Sequence, residues 1–109
     1  MLVNNAGQGD QAEMTAKPAK YRSKLKIFFD MLSVVVEEGG KARPTRILYG
    51  ANLSYDRLQK YLDELKKRGL LEERKEGDAT FYVITERGCA FVREFKKIEA
   101  FANAFGFSV

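Results

Sequence analysis

The segment from Ser54 to Gly69 constrains the fold most, because it specifies one helix together with both of its ends. Ser54 is a good N-cap residue, and Asp56 places a negative charge in the first turn, where the helix dipole favours it. Gly69 follows three basic residues and suits the left-handed position that ends a helix. Apolar residues recur at helical spacing between these ends: Leu58, Tyr61, Leu62 and Leu65. The segment therefore predicts a helix over 54–68 with one buried face.

The residues before this helix predict two more helices. An apolar pattern begins near Ser23 on two sides of a helix, with Leu25, Phe28, Phe29, Leu32, Val35 and Val36 on one and Ile27, Met31 and Val34 on the other. A helix that is apolar on two faces is expected to be buried on both, and Gly39-Gly40 ends it. Pro44 suits the first turn of a short helix to Tyr49, which Gly50-Ala51-Asn52 interrupts. Lys41-Ala42 is too short to assign and is compatible with one bridge of a sheet.

The residues after Gly69 predict a β-hairpin and a final helix. A charged strand leads from Leu70-Leu71 to a turn at Glu76-Gly77-Asp78, and Phe81-Tyr82-Val83-Ile84 has the aromatic and β-branched content of a strand. Thr85 is an N-cap for a helix that runs to about Phe105.

These elements predict an α+β fold that is mainly α, a winged helix-turn-helix with three helices and a β-hairpin wing, followed by a long C-terminal dimerisation helix. Residues 1–20 have no apolar period and are predicted to be a mobile N-terminal tail. Residues 21–85 are predicted to form the winged helix-turn-helix domain, and residues 86–109 the C-terminal helix for dimerisation.

Composition argues against an enzyme and against a metal site. The chain has no histidine and one cysteine, so it lacks the commonest general base and any cysteine-rich zinc site. No segment approaches the roughly 20 apolar residues of a membrane span, and the N-terminus lacks a secretory signal pattern. We expect a non-enzymatic, cytoplasmic protein, associated with the nucleoid, that has no cofactor and no membrane partner.

The distribution of charge indicates a surface for phosphates. The net charge is +4, and residues 17–46 contribute eight basic against three acidic residues, whereas residues 47–109 contribute eleven against ten. A concentrated basic segment is what a phosphate-binding surface requires, although a solvated lysine-rich face has the same composition.

The second helix of the helix-turn-helix carries the candidate base-reading residues. Its start normally meets base edges in the major groove, and Arg57, Gln59 and Lys60 have the donors that guanine and adenine edges accept. The expected phosphate contacts come from the basic segment and, to a smaller extent, from the wing. The predicted DNA-binding residues are Lys20, Arg22, Lys41, Arg43, Arg46, Ser54, Tyr55, Arg57, Gln59, Lys60, Arg74 and Lys75.

Acidic residues weigh against tight DNA binding and leave an alternative open. Asp63 and Glu64 lie further along the second helix, and the hairpin from Glu72 to Asp78 has a net charge of −2. Arg57 and Lys60 could merely pair with neighbouring acids. The alternative function is a winged-helix protein–protein interaction module without DNA binding, although such a module would not need the basic segment from Lys17 to Arg46.

The segment Ala51 to Phe91 resembles the archaeal winged-helix DNA-binding proteins. The resemblance rests on ANLSYDRLQKYLDELKKRGLLEE, on FYVITERG and on the long last helix, and it extends over roughly Ser23 to Phe105. It is strongest to the small chromatin-type proteins, whose last helix pairs with its counterpart in an antiparallel coiled coil. The resemblance implies that residues 54–60 enter the major groove and that the 76–78 turn is the wing tip. The acidic wing departs from this pattern.

The last helix carries a predicted dimer interface. Its apolar residues follow spacings of 4, 3, 4 and 3, a heptad seam formed by Phe91, Phe95, Ile98, Ala102 and Phe105. The same seam could instead pack back on the first helix, but the additional Phe101 and Phe107 make an exposed aromatic surface that favours a symmetric homodimer. Cys89 is expected to be a buried, inert thiol at the start of this helix.

Overall fold

The computed structural model describes residues 22–109, which form four helices and a three-stranded antiparallel sheet. The elements in chain order are α1 Lys24–Glu37, β1 Lys41–Ala42, α2 Pro44–Gly50, α3 Tyr55–Lys67, β2 Leu71–Glu76, β3 Ala79–Ile84 and α4 Glu86–Ala104. The mainly helical winged fold predicted from the sequence is confirmed. The predicted tail over residues 1–20, with Lys20, lies outside the described residues. None of the helices in residues 22–109 is long and apolar enough to cross a membrane.

The ends of α3 are those that the sequence predicts. The Ser54 Oγ accepts a hydrogen bond from the Arg57 N–H at 3.3 Å, and Gly69 has a φ of +75° just past the end of the helix. The short helix α2 extends one residue further than predicted, to Gly50, and the chain turns at Asn52, whose φ is +56°. Asn tolerates this left-handed region better than most residues, so the α2–α3 turn needs no glycine at that position.

The sheet has the order β1–β3–β2. Lys41 lies opposite Val83, and Ala42 lies opposite Tyr82, so the short segment that the sequence left unassigned is an edge strand. The two strands of the hairpin pair from Leu71 opposite Ile84 to Glu76 opposite Ala79, with the turn at 77–78. The edge strand β1 therefore joins the hairpin to the residues just before α2.

Helix α1 is the centre of the core and is buried on two faces, as predicted. The buried residues of the helix are Ile27, Phe28, Phe29, Met31, Leu32, Val34 and Val35. The Phe29 ring stacks on that of Phe95 in α4 with centroids 4.7 Å apart. Leu25 and Val36, which the apolar pattern had included, are exposed because they lie near the two ends of the helix.

Helix α4 packs on the sheet through Gly88, and this close approach corrects the prediction for Cys89. A Cβ atom at Gly88 would overlap the carbonyl oxygen of Leu70 and lie 2.7 Å from Ile84 Cγ1. The buried face of the helix continues through Val92 and Phe95. Cys89 lies to one side of that face and is exposed, so the expectation of a buried thiol was wrong.

Replacing Gly88 by Ala tests this packing. Alanine favours a helix by about 1 kcal/mol over glycine, but the overlap with the backbone of Leu70 cannot be relieved by a rotamer change. We expect Gly88→Ala to lower the free energy of unfolding by roughly 1–3 kcal/mol, measured by urea denaturation. Lys96→Ala is the control, since Lys96 is exposed in the same helix. A Gly88→Ala variant as stable as the wild type would contradict the packing.

Candidate nucleic-acid interface

The outer face of α3 is free of the core along its whole length. Leu58, Leu62 and Leu65 point inward and are buried, so the opposite side of the helix faces solvent. The first turns expose five of the predicted base-reading residues: Ser54, Tyr55, Arg57, Gln59 and Lys60. Their hydroxyl, amide, guanidinium and ammonium groups offer donors at the start of the helix, whose diameter fits a major groove.

Arg57 and Lys60 make no ion pair and no side-chain hydrogen bond with residues 22–109. The alternative that these two cations pair with neighbouring acids is therefore wrong for the described part of the chain. The acids further along α3 are engaged elsewhere. Glu64 is bound by Lys24 at 3.0 Å and by Arg68 at 2.7 Å, and Asp63 lies 3.8 Å from Lys66. The two cations are thus available to a ligand.

Two acids of the wing are paired with cations of the protein. The Lys66 ammonium donates to Glu73 at 2.7 Å, and Lys41 donates to both carboxylate oxygens of Glu76 at 3.0–3.1 Å. The hydrogen bond from Lys66 holds the pKa of Glu73 below its ordinary value, as hydrogen bonds from Lys24 and then Arg68 do for Glu64. Of the four acids between residues 72 and 78, two are therefore neutralised by cations behind or beside the sheet.

A cluster of cations surrounds Phe81 on the outer face of the sheet. The Lys41 Nζ lies 4.7 Å from the ring centroid, and the Arg43 guanidinium carbon lies 5.4 Å from it. Arg74 lies directly opposite Phe81 on β2, which places its side chain on the same face. Lys41, Arg43, Arg74 and Phe81, here called the Phe81 cluster, bring together three predicted phosphate-binding residues from separate segments.

Three other predicted phosphate-binding residues make contacts within the protein: Arg22, Arg46 and Lys75. Arg22 is the most buried of them. The Arg22 side chain is only 15% exposed, donates to Asp30 at 2.7 Å and to the Asn52 carbonyl at 3.0 Å, and is therefore no free phosphate ligand. Arg46 pairs with Glu38 at 2.7 Å, and Lys75 lies 3.7 Å from Glu73, both at the surface. Exposed pairs of this kind are weak and can exchange for phosphate contacts.

Lys24 and Lys26, two further residues of the predicted basic segment from Lys17 to Arg46, also make contacts within the protein. Lys24 pairs with Glu64 on α3, and Lys26 pairs with Glu99 on α4 at 2.9 Å. The segment was predicted from its charge alone, which does not reveal that acids from other helices meet it. Within residues 22–109, the basic side chains without an ion pair or hydrogen bond are instead Arg43, Arg57, Lys60, Lys67, Arg74 and Lys96. All but Lys96 lie on α3 or beside the sheet.

Sequence reasoning missed Tyr49 and the C-terminal residue Lys67 of α3. Tyr49 is 78% exposed at the end of α2, immediately before the turn into α3. Ile47 is the one fully buried residue of α2, so the helix leaves its other apolar side chains partly or wholly outside the core. A helix of seven residues is too short to show an apolar period, and no sequence signal could have separated Tyr49 from a core residue.

The predicted dimer seam divides into buried and exposed residues. Phe95 and Ala102 are 4% and 6% exposed within the single chain, so they are not available to a partner. Phe91 is half-buried and stacks on Phe95, while Ile98 and Phe105 are exposed. The exposed stripe passes through Phe101 in place of Ala102, and the Phe101 and Phe105 rings lie 5.2 Å apart.

Two open grooves lie on the surface of the described residues. One groove of about 510 Å³ lies between the end of α3 and α4, where Arg87 donates to the Arg68 carbonyl and Phe91 forms part of the floor. A second, of about the same volume, lies between the start of α1 and the end of the chain, beside Leu25, Ile98 and Val109. In residues 22–109 no three His, Cys, Asp or Glu residues are grouped to hold a metal ion.

Comparison with known proteins relates the chain to winged-helix proteins. Residues 21–103 match the family described as winged helix-turn-helix. The chain is similar to Sso10a-2, a DNA-binding protein from Sulfolobus solfataricus, with 33% identity and a TM-score of 0.70, covering 77% of this chain and 85% of that one. It is also similar to F93 from STIV, a winged-helix DNA-binding protein, with 19% identity and a TM-score of 0.64, covering 71% and 90% of the two chains.

A sequence relative is the protein MJ0287 from Methanocaldococcus jannaschii. It is 36% identical over 55 residues, which are 50% of this chain and 55% of MJ0287. The chain thus spans about half the length of that curated relative. The shared architecture of the solved structures agrees with the helix-turn-helix and wing described above.

The ion pair between Glu73 and Lys66 predicts a pH dependence of stability. Because the folded-state pKa of Glu73 is below its ordinary value of 4.5, the unfolded chain takes up protons first as the pH falls, and the stabilisation present above that pH is lost. We expect Glu73→Gln to reduce the slope of the unfolding free energy against pH on the acid side, measured by urea denaturation. Glu72→Gln removes the same charge from the other face of β2 and should keep the wild-type slope. Equal slopes in all three proteins would contradict the assignment.

Proposed function

This chain belongs to the winged helix-turn-helix family, and we propose that it is a non-enzymatic protein that binds double-stranded DNA with α3 in the major groove. The observation that carries the proposal is the free pair of cations, Arg57 and Lys60, at the start of α3. They lie beside the exposed Tyr55 and Gln59, and no acid of the described chain engages them. An unpaired guanidinium at the start of a recognition helix is well suited to donate hydrogen bonds to the N7 and O6 atoms of guanine.

The Phe81 cluster supplies the contacts that would orient the helix on the duplex. Phosphate contacts provide most of the non-specific affinity of such proteins and fix their register, whereas base contacts read the sequence. Arg43 and Arg74 have no acidic partner in residues 22–109 and can each meet a phosphate. Lys41 is already paired with Glu76 at 3.0 Å and is the least available cation of the cluster.

Two of the similar proteins support DNA over a protein partner. Sso10a-2 and F93 are both DNA-binding proteins, and the first covers most of this chain at 33% identity. The alternative of a pure protein-interaction module was motivated by the acidic wing, but Glu73 and Glu76 are compensated by Lys66 and Lys41. A duplex DNA target also suits an exposed helix better than duplex RNA, whose major groove is too narrow to admit one. We place the protein among transcription regulators or nucleoid-associated chromatin proteins of the cytoplasm.

Removing the two free cations of α3 tests the proposed function. In a titration with duplex DNA at several salt concentrations, we expect the wild type to bind with an affinity that falls steeply as salt rises. The Arg57→Ala, Lys60→Ala double variant should lose roughly 1–3 kcal/mol of binding free energy per base contact and its preference between sequences. Arg93→Ala with Lys96→Ala removes the same charge from α4 and should bind like the wild type.

The outcomes separate the classes of function. Salt-sensitive binding without sequence preference in either the wild type or the α3 variant would indicate a chromatin-type role. Absence of binding by the wild type at low salt would contradict the proposal and favour the protein-interaction module.

We also propose that two copies associate through the exposed stripe of α4, formed by Ile98, Phe101 and Phe105. Phe101 and Phe105 are 69% and 67% exposed, and the spacing of 3 and 4 places all three residues on one side of the helix. Leu25 of α1 and the groove next to it continue this apolar surface. A two-fold partner would cover it with the same residues and would present a second recognition helix to the duplex.

Sedimentation equilibrium tests the dimer. We expect the wild type to be a dimer at micromolar concentration and the Phe101→Ser, Phe105→Ser double variant to be a monomer, because the variant removes most of the exposed apolar area. Tyr49→Ser removes an equally exposed aromatic ring far from α4 in the chain and should remain dimeric. A wild-type protein that is monomeric under these conditions would overturn the assignment.

A further inference from the structure

The turn that aims the recognition helix depends on a residue outside the helix-turn-helix. Asn52, the left-handed residue of the α2–α3 turn, has its carbonyl oxygen 3.0 Å from Arg22 Nη2, although the two residues are 30 apart in sequence. The N–H groups of Asn52 and Leu53 bond back to carbonyls of α2, at Tyr49 and Leu48. The outward carbonyl of Asn52 therefore receives a donor from a different part of the chain.

The other amino group of Arg22 is fixed on α1. Arg22 Nη1 donates to Asp30 Oδ2 at 2.7 Å, and the two side chains are only 15% and 23% exposed. A guanidinium that donates from two separate nitrogens is held in orientation as well as in position. Arg22 thus links the α2–α3 turn to α1 through two hydrogen bonds in a partly shielded place.

Two further ion pairs, both made by Lys26, connect Asp30 to the C-terminal helix α4. The other carboxylate oxygen, Asp30 Oδ1, lies 3.4 Å from Lys26 Nζ, and the same ammonium donates to Glu99 Oε2 on α4 at 2.9 Å. Lys26 is also 5.0 Å from the centroid of Phe29, whose ring stacks on Phe95 of α4. The hydrogen bond that Lys26 donates to Glu99 raises the pKa of Lys26 above its ordinary value.

We propose that Arg22 is a positioning residue for DNA recognition, which holds the α2–α3 turn, and through it the start of α3, in register with α1 and α4 by the chain Arg22–Asp30–Lys26–Glu99. This inference rests on the proposed DNA binding of α3. The first residue of α3 is three positions after Asn52, so a shift of the turn moves Tyr55 and Arg57 directly. Arg22 acts by geometry and contributes no phosphate contact of its own.

A phosphate ligand and a positioning residue respond differently to conservative substitution. Lysine retains the charge of Arg22 but has a single nitrogen, so Arg22→Lys cannot donate from two separate atoms to Asp30 and to the Asn52 carbonyl. A residue that only neutralises phosphate would be largely replaced by lysine. Lysine would not replace a residue that fixes the turn through two separate nitrogens.

The experiment compares Arg22→Lys and Arg22→Gln with the wild type in two measurements. The first is binding to a duplex selected by the wild type in vitro, against a random duplex, at several salt concentrations. We expect both variants to lose roughly tenfold or more in preference for the selected duplex, the effect of a hydrogen bond to a charged group, with the dependence of affinity on salt unchanged. Lys96→Gln, which removes an exposed cation of α4, is the control and should keep the preference.

The second measurement is amide hydrogen exchange of the free protein, which does not depend on DNA binding. We expect faster exchange at residues 51–55 in both Arg22 variants, and in Glu99→Gln, which breaks the far end of the chain of charges without touching the turn. Exchange of the turn that is unchanged in Glu99→Gln would overturn the link to α4. Wild-type preference in Arg22→Lys, with the salt dependence reduced only in Arg22→Gln, would identify Arg22 as a phosphate ligand and overturn the proposal. If the wild type binds no duplex, the proposed function fails, while the exchange data still decide whether Arg22 holds the turn.

Discussion

Burial of one leucine stripe determines what the rest of α3 can do. Leu58, Leu62 and Leu65 are fully enclosed, in a core built around α1, which is itself buried on two faces. Enclosing three leucine side chains contributes several kcal/mol by the usual area relation, and this fixes the rotation of α3 about its axis. Once that rotation is set, Tyr55, Arg57, Gln59 and Lys60 have no place other than the outer surface. The recognition face is therefore a consequence of core packing.

Ion pairing divides the charged residues of the described chain into acids that have a cationic partner and cations that have no acidic partner. Three acids that weighed against DNA binding are paired with cations of the protein, Glu64 with Lys24, Glu73 with Lys66 and Glu76 with Lys41. Each exposed pair is energetically modest, but together the pairs remove negative potential from the side on which α3 and the Phe81 cluster lie. Within residues 22–109, the cations without an ion pair or hydrogen bond therefore lie mainly on α3 and beside the sheet.

The sequence predicted local structure well and long-range pairing poorly. The caps at Ser54 and Thr85 and the terminal Gly69 act within a few residues, and all were found as expected. The internal use of Arg22 and Lys26 was not predictable, because their partners Asn52 and Glu99 are 30 and 73 residues away. The prediction of a buried Cys89 failed for a related reason, since the buried face of α4 is set by the contact of Gly88 with Leu70, which lies between α3 and β2. The heptad seam stays a prediction, and two of its members, Phe95 and Ala102, are buried within the single chain, Phe95 against Phe29.

The central claim is that the free face of α3, together with the outer face of the wing, is the surface that meets duplex DNA. A two-dimensional NMR titration of the wild-type protein with duplex DNA tests it most directly, because every backbone amide reports its own environment. The account predicts that the largest shifts fall on residues 54–60 and on the strands around Phe81, with the buried side of α1 little changed. Shifts confined to α4 and the C-terminal residues, with none on α3, would contradict it.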